Sequence, residues 1–144
     1  TEELGKLLQA ERPEFVLCHT DIHTANLLID TSGTLFVVDW DNPTLAPRER
    51  DLMFIGGGVA NVWNRPHEAT LFYQGYGETV VDKTILAYYR HERIVEDIAI
   101  YGQEILLKKS GSAEKEEMYY HFTNMFEPNG VVDIAFKTDK DKPS

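Results

Sequence analysis

Apolar residues recur along this chain at two periods, and the switch between them divides it. Leu4, Leu7 and Leu8 fall on one face of residues 2–11, which predicts the end of an amphipathic helix stopped by Pro13. Residues 15–18 are a short apolar run that reads as a buried strand. Two further apolar runs, 26–29 and 34–38, flank Asp30-Thr31-Ser32-Gly33, a strong turn sequence, and predict a β-hairpin that ends at Asn42-Pro43. From Pro47 onward the spacing becomes helical. Residues 48–55 predict a short helix ended by Gly56-Gly57-Gly58, residues 66–74 a second, and residues 82–109 a long third. Ile94, Ile98, Tyr101 and Ile105 make the inner stripe of that long helix, and Lys108 and Lys109 close it where the helix dipole favours cations. Ser112 is placed to cap a further helix, with Glu114, Glu116 and Glu117 in its first turns and Pro128 beyond its end. Residues 131–136 read as a last turn, and 137–144, charged and poor in apolar side chains, as a disordered tail. The fold class expected is α+β, mostly α-helical. Residues 1–136 form one unit, with a small β-hairpin near its start and no repeat or linker.

Charge adds more to this picture than overall composition. The 144 residues are 42% hydrophobic, enough for one domain with a real core. Fourteen basic residues against 24 acidic ones give a formal charge of −10 and a pI near 4.9. Such a surface disfavours nucleic acid and anionic membranes and favours cationic ligands, although acidic balance is also common without a functional cause. Cys18 is the single cysteine, so no intrachain disulfide forms, which fits a reducing compartment and a cytoplasmic location. No apolar run approaches the roughly 20 residues of a membrane span. The chain begins at Thr1 without a signal-peptide pattern, and it reads as a piece of a longer protein.

The chemistry concentrates in residues 18–41. His19, Asp21 and Asn26 match H-x-D-x-x-x-x-N, and Asp39 follows at the end of the second hairpin strand. Base, amide and carboxylate in that order on a short hairpin is the arrangement of a kinase-type phosphoryl-transfer site. Asp21 is then the general base that orients an attacking hydroxyl. Asn26 and Asp39 are hard oxygen donors suited to Mg²⁺, and Asp39, closing an apolar run, is expected to be partly desolvated. Asp41 either binds the metal indirectly or caps the following turn. Trp40 either lines the substrate or nucleotide pocket or belongs to the core. His19-x-Asp21-x-His23 also has the alternation of a zinc site in a metal-dependent hydrolase, but without companion ligands at fitting spacings. On the long helix Tyr88, Glu92 and Glu96 share a face with Asp97 beside it. That face suits an amino-sugar, and equally reads as a solvated helix surface.

With these residues in place, the chain resembles the C-terminal lobe of the aminoglycoside phosphotransferases, a branch of the protein-kinase-like fold, and most closely their spectinomycin phosphotransferase group. The resemblance rests on His19-Thr20-Asp21-Ile22-His23 through Asn26, on Asp39-Trp40-Asp41, and on Pro47-Arg48-Glu49-Arg50-Asp51-Leu52. It implies transfer of the ATP γ-phosphate to a hydroxyl of an aminoglycoside, aminocyclitol or related small amine, with Mg²⁺ as the metal and antibiotic inactivation as the outcome. Kinases of choline, homoserine and methylthioribose share the motif. It further implies that the His19 ring bonds backbone beside the metal-binding Asp and that Asp51 braces the catalytic loop.

Two features depart from the family. Many relatives have glycine where this chain has Thr20 and Ala25, and a β-branched residue resists positive φ, so the chain is expected to be a subgroup variant. The nucleotide-clamping N-terminal lobe, with its strand lysine and phosphate-covering loop, has no counterpart here, and Gly56-Gly57-Gly58 reads as a helix stop. The isolated chain is therefore expected to be inactive, with an apolar inter-lobe face prone to self-association. A non-catalytic module that binds a ligand or partner is the alternative.

Overall fold

The computed structural model describes residues 2–59, 65–108 and 111–140. Helix α1 (Glu2–Glu11) leads into β1 (Val16–Cys18), a loop, and one turn of 3-10 helix (Thr24–Asn26). Strands β2 (Leu27–Ile29) and β3 (Leu35–Val37) form the expected antiparallel hairpin, with Leu28 opposite Phe36. Its turn is held by the Asp30 carboxylate, whose Oδ1 accepts from the backbone of Ser32 and Thr34, each at 2.9 Å, while Gly33 takes φ 85°. Strand β4 (Thr44–Ala46), which the hydrophobic pattern does not announce, pairs antiparallel with β1 and sets Leu17 opposite Leu45.

The helical part begins with α2 (Glu49–Leu52), then α3 (Pro66–Tyr76), α4 (Lys83–Leu106), α5 (Ser112–Asn124) and α6 (Val131–Lys140). Asp82 caps α4 by accepting from Thr84 and Ile85. Gly111, rather than Ser112, is the N-cap of α5, and the Glu114 carboxylate reaches back to its N–H. The charged segment from Lys137 continues α6 to Lys140, with Thr138 buried, so these four residues are helix and not tail. Lys109, expected to close the long helix, and residues 141–144 of the expected tail lie outside the described residues. No described helix is long and apolar enough to cross a membrane.

The core gathers Cys18, Ala46, Met53, Phe54, Ile85 and Tyr89, with Leu8, Val16 and Ile22 packed on it. The fully buried positions of α4 are thus Ile85, Ala87 and Tyr89 in its first half. In the stripe read from sequence, Ile94, Tyr101 and Ile105 are half-buried and Ile98 is exposed. The strands are also less buried than their composition suggests. Each sheet has only two strands, and in the hairpin the consecutive residues Leu28 and Ile29, and Leu35 and Phe36, which point to opposite faces, are all exposed, as are Leu17, Leu45 and Phe15 just before β1.

Two half-buried polar devices brace the turn after α2 and the 18–26 loop. Arg90 on α4 donates from Nε to the Met53 carbonyl at 3.2 Å, from Nη2 to the Ile55 carbonyl at 2.8 Å and from Nη1 to Thr138 Oγ1 at 2.6 Å. It satisfies the carbonyls left open where α2 ends and ties that turn to α6. Burial lowers its pKa to about 10, which leaves it charged at neutral pH. The chain then makes its close approach at Gly58, where φ is 75° and a Cβ would stand 2.6 Å from Ile134 of α6.

The second device is Asp51 of α2. Its Oδ2 accepts from the His19 N–H at 2.9 Å and its Oδ1 from the Thr20 N–H at 2.7 Å. One carboxylate therefore fixes two consecutive peptides. Thr20 sits at φ 75°, so the loop keeps the left-handed turn with a β-branched residue, a conformation that costs on the order of 1–3 kcal/mol. The Thr20 hydroxyl adds a bond to the Asn42 carbonyl at 3.2 Å.

Asp51→Asn keeps one acceptor but turns an amide NH₂ toward the other N–H. It is expected to lower stability in urea unfolding by about 2 kcal/mol, the scale of a lost charged hydrogen bond. A loss below about 0.5 kcal/mol, the usual range for a surface change, would mean that the carboxylate is not what holds the loop. Cys18 supplies a second test. Burial first, and the nearby Asp51 charge second, push its thiol up to about 11. Between roughly pH 9 and 11 the unfolded chain then releases a proton that the native chain keeps, so stability falls as pH rises through that window. At pH 8 iodoacetamide should label Cys18 readily in denaturant and negligibly in the native protein.

Candidate active site

The loop between β1 and β2 is assembled from the His19 side outward. His19 is almost fully buried. Its Nδ1 faces the backbone N–H of Asp21 at 3.3 Å and its Nε2 lies 2.8 Å from the Val38 carbonyl. An N–H can only donate and a carbonyl can only accept, so the ring is the neutral tautomer with its proton on Nε2. Trp40 closes over it edge-on, ring centroids 4.7 Å apart, with its indole N–H on the Val37 carbonyl. Trp40 is thus half-exposed and acts as a lid on His19.

Both ring nitrogens of His19 are taken by backbone. Among the described residues no three His, Cys, Asp or Glu side chains converge as a metal cluster. The zinc reading of His19, Asp21 and His23 therefore fails on geometry.

Asn26 is buried and its side-chain N–H donates to the Asp21 carbonyl at 2.8 Å, which leaves the amide oxygen as its acceptor atom. The Asn26 carbonyl also receives the Val38 N–H at 3.0 Å, extending the hairpin ladder one step beyond β2. Asn26 thus stands across from the residue before Asp39. Asp39 takes φ 67°, which ends β3, and asparagine and aspartate tolerate that region best. Asp39 is exposed rather than desolvated, because Leu35 and Phe36, expected to bury it, face solvent themselves. Asp41 is exposed as well. Amide and carboxylate oxygens at one strand mouth are a donor set that fits magnesium.

Asp21 is half-exposed. Its Oδ1 is 2.9 Å from Arg93 Nη1 of α4, and its Oδ2 is 3.5 Å from His23 Nε2. Arg93 also pairs with Asp97 one turn along the helix at 2.9 Å. Burial raises the pKa of Asp97, and the Arg93 charge opposes that shift. The partners of Asp21, His23 and Arg93, line a cavity of about 380 Å³ together with Asp97 and Tyr101 of α4 and Tyr120, His121 and Asn124 of α5, and Asp21 itself stands behind them rather than in the lining.

The helix residues read as substrate contacts separate in space. Asp97 lines the cavity. Glu92 is held by Arg50 of α2 and accepts from the Tyr88 hydroxyl at 2.9 Å, so both belong to a strut between α2 and α4. Glu96 is exposed and does not line the cavity. Spacing along one helix told which residues share a face and not what that face meets. Arg93 was missed because it lies 72 residues from Asp21 in sequence. Its one local signal was the i,i+4 spacing to Asp97.

The model of the phosphotransferase enzyme family matches residues 1–89. Among solved structures, the chain is similar to spectinomycin phosphotransferase APH(9)-Ia in complex with ADP and spectinomycin, at 54% identity and a TM-score of 0.81. It is similar to the AMP-bound complex of that enzyme at 55% identity and a TM-score of 0.79. Each match covers 96% of this chain and 43% of that chain, so this chain spans less than half the length of those proteins. The comparison with curated proteins gave no match. The mostly helical, kinase-like architecture agrees with the reading made from residues, and the chain belongs to the phosphotransferase enzyme family.

Proposed function

We propose that this chain is the catalytic-loop and acceptor-binding part of an ATP-dependent phosphotransferase acting on a hydroxyl of an aminocyclitol or aminoglycoside, with spectinomycin as the first acceptor to try. The observation that carries this reading is the fixed placement of Asp21, Asn26 and the Asp39 strand end at one hairpin mouth, beside a cavity large enough for a small molecule. Asp21 accepts a hydrogen bond from the acceptor hydroxyl and aligns it on the γ-phosphorus. As the new O–P bond forms, the bond to the bridging oxygen of ADP breaks and the hydroxyl proton passes to the Asp21 carboxylate. Asn26 and Asp39 would hold Mg²⁺, with Asp41 as an outer contact, and the ion would supply neutralisation of phosphate charge there. Tyr101 and Tyr120 offer the cavity aromatic faces, and Asn124 offers hydrogen bonds.

The exposed strand residues Leu17, Leu28, Ile29, Leu35 and Leu45 belong, in this reading, against a second lobe that completes the nucleotide clamp. The 144-residue chain by itself exposes them and is expected to self-associate. An ATP-using enzyme with a single buried thiol fits the cytoplasm.

In the complete protein that carries this chain, Asp21→Asn is expected to lower the rate of ATP-dependent spectinomycin phosphorylation by about 10²–10⁴, the scale of general-base loss. Turnover within a few-fold of wild type would remove Asp21 from the mechanism. Asp39→Ala should keep the helical circular dichroism and raise the magnesium requirement or abolish turnover. An unchanged magnesium dependence would end its assignment as a ligand. Calorimetric titration of the isolated chain with Mg-ATP should give binding no tighter than about 1 mM, roughly −4 kcal/mol. Micromolar binding with acceptor phosphorylation would show that no second lobe is needed.

A further inference from the structure

The loop itself holds the Asp21 carboxylate loosely. Its backbone N–H is held by His19 and its carbonyl by Asn26, while among the described residues the loop offers the carboxylate the imidazole of His23, 3.5 Å from Oδ2. The close contact to the carboxylate comes from outside, from Arg93 Nη1 at 2.9 Å on Oδ1.

Arg93 is held from two further sides. Its Nε lies 2.9 Å from Asp97 Oδ1, as an ion pair rather than an aligned hydrogen bond. Its Cζ stands 5.7 Å from the ring centroid of Phe54, which is wholly buried in the core. The Arg93 side chain is 25% exposed, and that of Asp21 40%. A guanidinium packed against a core ring and tethered one helical turn away is a rigid post, whereas the carboxylate it touches sits on an irregular loop.

We propose that Arg93 is a positioning residue for Asp21, presenting Oδ2 to the acceptor hydroxyl by holding Oδ1, with Asp97 and Phe54 fixing the guanidinium in turn. This role rests on the phosphotransferase reading of the site. Arg93 touches neither nucleotide nor reacting atoms in this scheme. It acts through the orientation of the base, where a displacement of about 1 Å can cost 10²-fold in rate. The half-exposed Asp21 contact adds little to stability, so its loss is read in turnover, whereas the less exposed Asp97 loses its partner in the same substitution.

The test compares wild type, Arg93→Met and Arg93→Lys in the complete protein, with ATP and spectinomycin, following kcat, KM for the acceptor and the thermal midpoint. Arg93→Met is expected to lower kcat by about 10–100-fold with KM within about threefold, and to lower the midpoint by only a few degrees as Asp97 loses its partner. Arg93→Lys is expected to lose several-fold in kcat, because an ammonium lacks the fork that spans Asp21 and Asp97. It also decides the matter should the methionine variant fail to fold. Wild-type kcat in both variants overturns the proposal. So does a rise in kcat with a fall in KM, which would make Arg93 a blocking latch that the acceptor displaces. Absence of turnover in wild type overturns the phosphotransferase reading and the positioning role with it. Turnover in wild type with unchanged variants overturns the positioning role alone.

Discussion

Two consecutive backbone amides, those of His19 and Thr20, share the carboxylate of Asp51, and the rest of the site is built outward from that contact. The peptide geometry it enforces puts Thr20 at a φ that a β-branched residue avoids. It also buries the His19 ring, whose two nitrogens then join the Asp21 backbone to the end of β3. Asn26 completes the frame by bonding the Asp21 carbonyl from one edge and the Val38 amide from the other. Local strain at Thr20 and Asp39 survives because the surrounding hydrogen bonds over-determine it.

The internal electrostatics run opposite to the surface. The chain carries a formal charge of −10, yet three arginines organise its interior. Arg50 ties α2 to α4 through Glu92 and lies 5.2 Å from the Tyr89 ring centroid. Arg90 satisfies the carbonyls at the end of α2, and Arg93 faces the loop. Burial strengthens each of these contacts by lowering the local dielectric. The cavity wall is consequently near charge balance, because Asp97 already has a partner in Arg93. An acidic composition therefore says little about how a cationic acceptor would be held.

How much of this was legible in the sequence follows from the range of each interaction. The hairpin was readable because Asp30-Thr31-Ser32-Gly33 closes on itself and its strands are contiguous. The long α4 was readable because Asp82 caps it locally and its apolar spacing is helical. Asp51 emerged through its motif. Strand β4 was not readable: Thr44-Leu45-Ala46 lies between two prolines and is a strand only because β1 offers it a partner. Exposure of the strands is not legible, because apolar composition marks a tendency to be covered without saying what covers it. Arg90 carries no motif, and its partners lie 35 to 48 residues away.

Arg90 also has a bearing on the order of events in synthesis. Its guanidinium joins the turn after α2 to Thr138 of α6, and Gly58 leaves just enough room for Ile134 of that helix. A ribosome emits residues 18–58 long before it emits 131–140. During that interval the nascent loop lacks the helix against which its supporting turn is packed. The site is therefore finished late, and a chain stalled short of α6 would hold every proposed catalytic side chain in its own hydrogen-bonded frame while the turn after α2 still lacked its α6 partner.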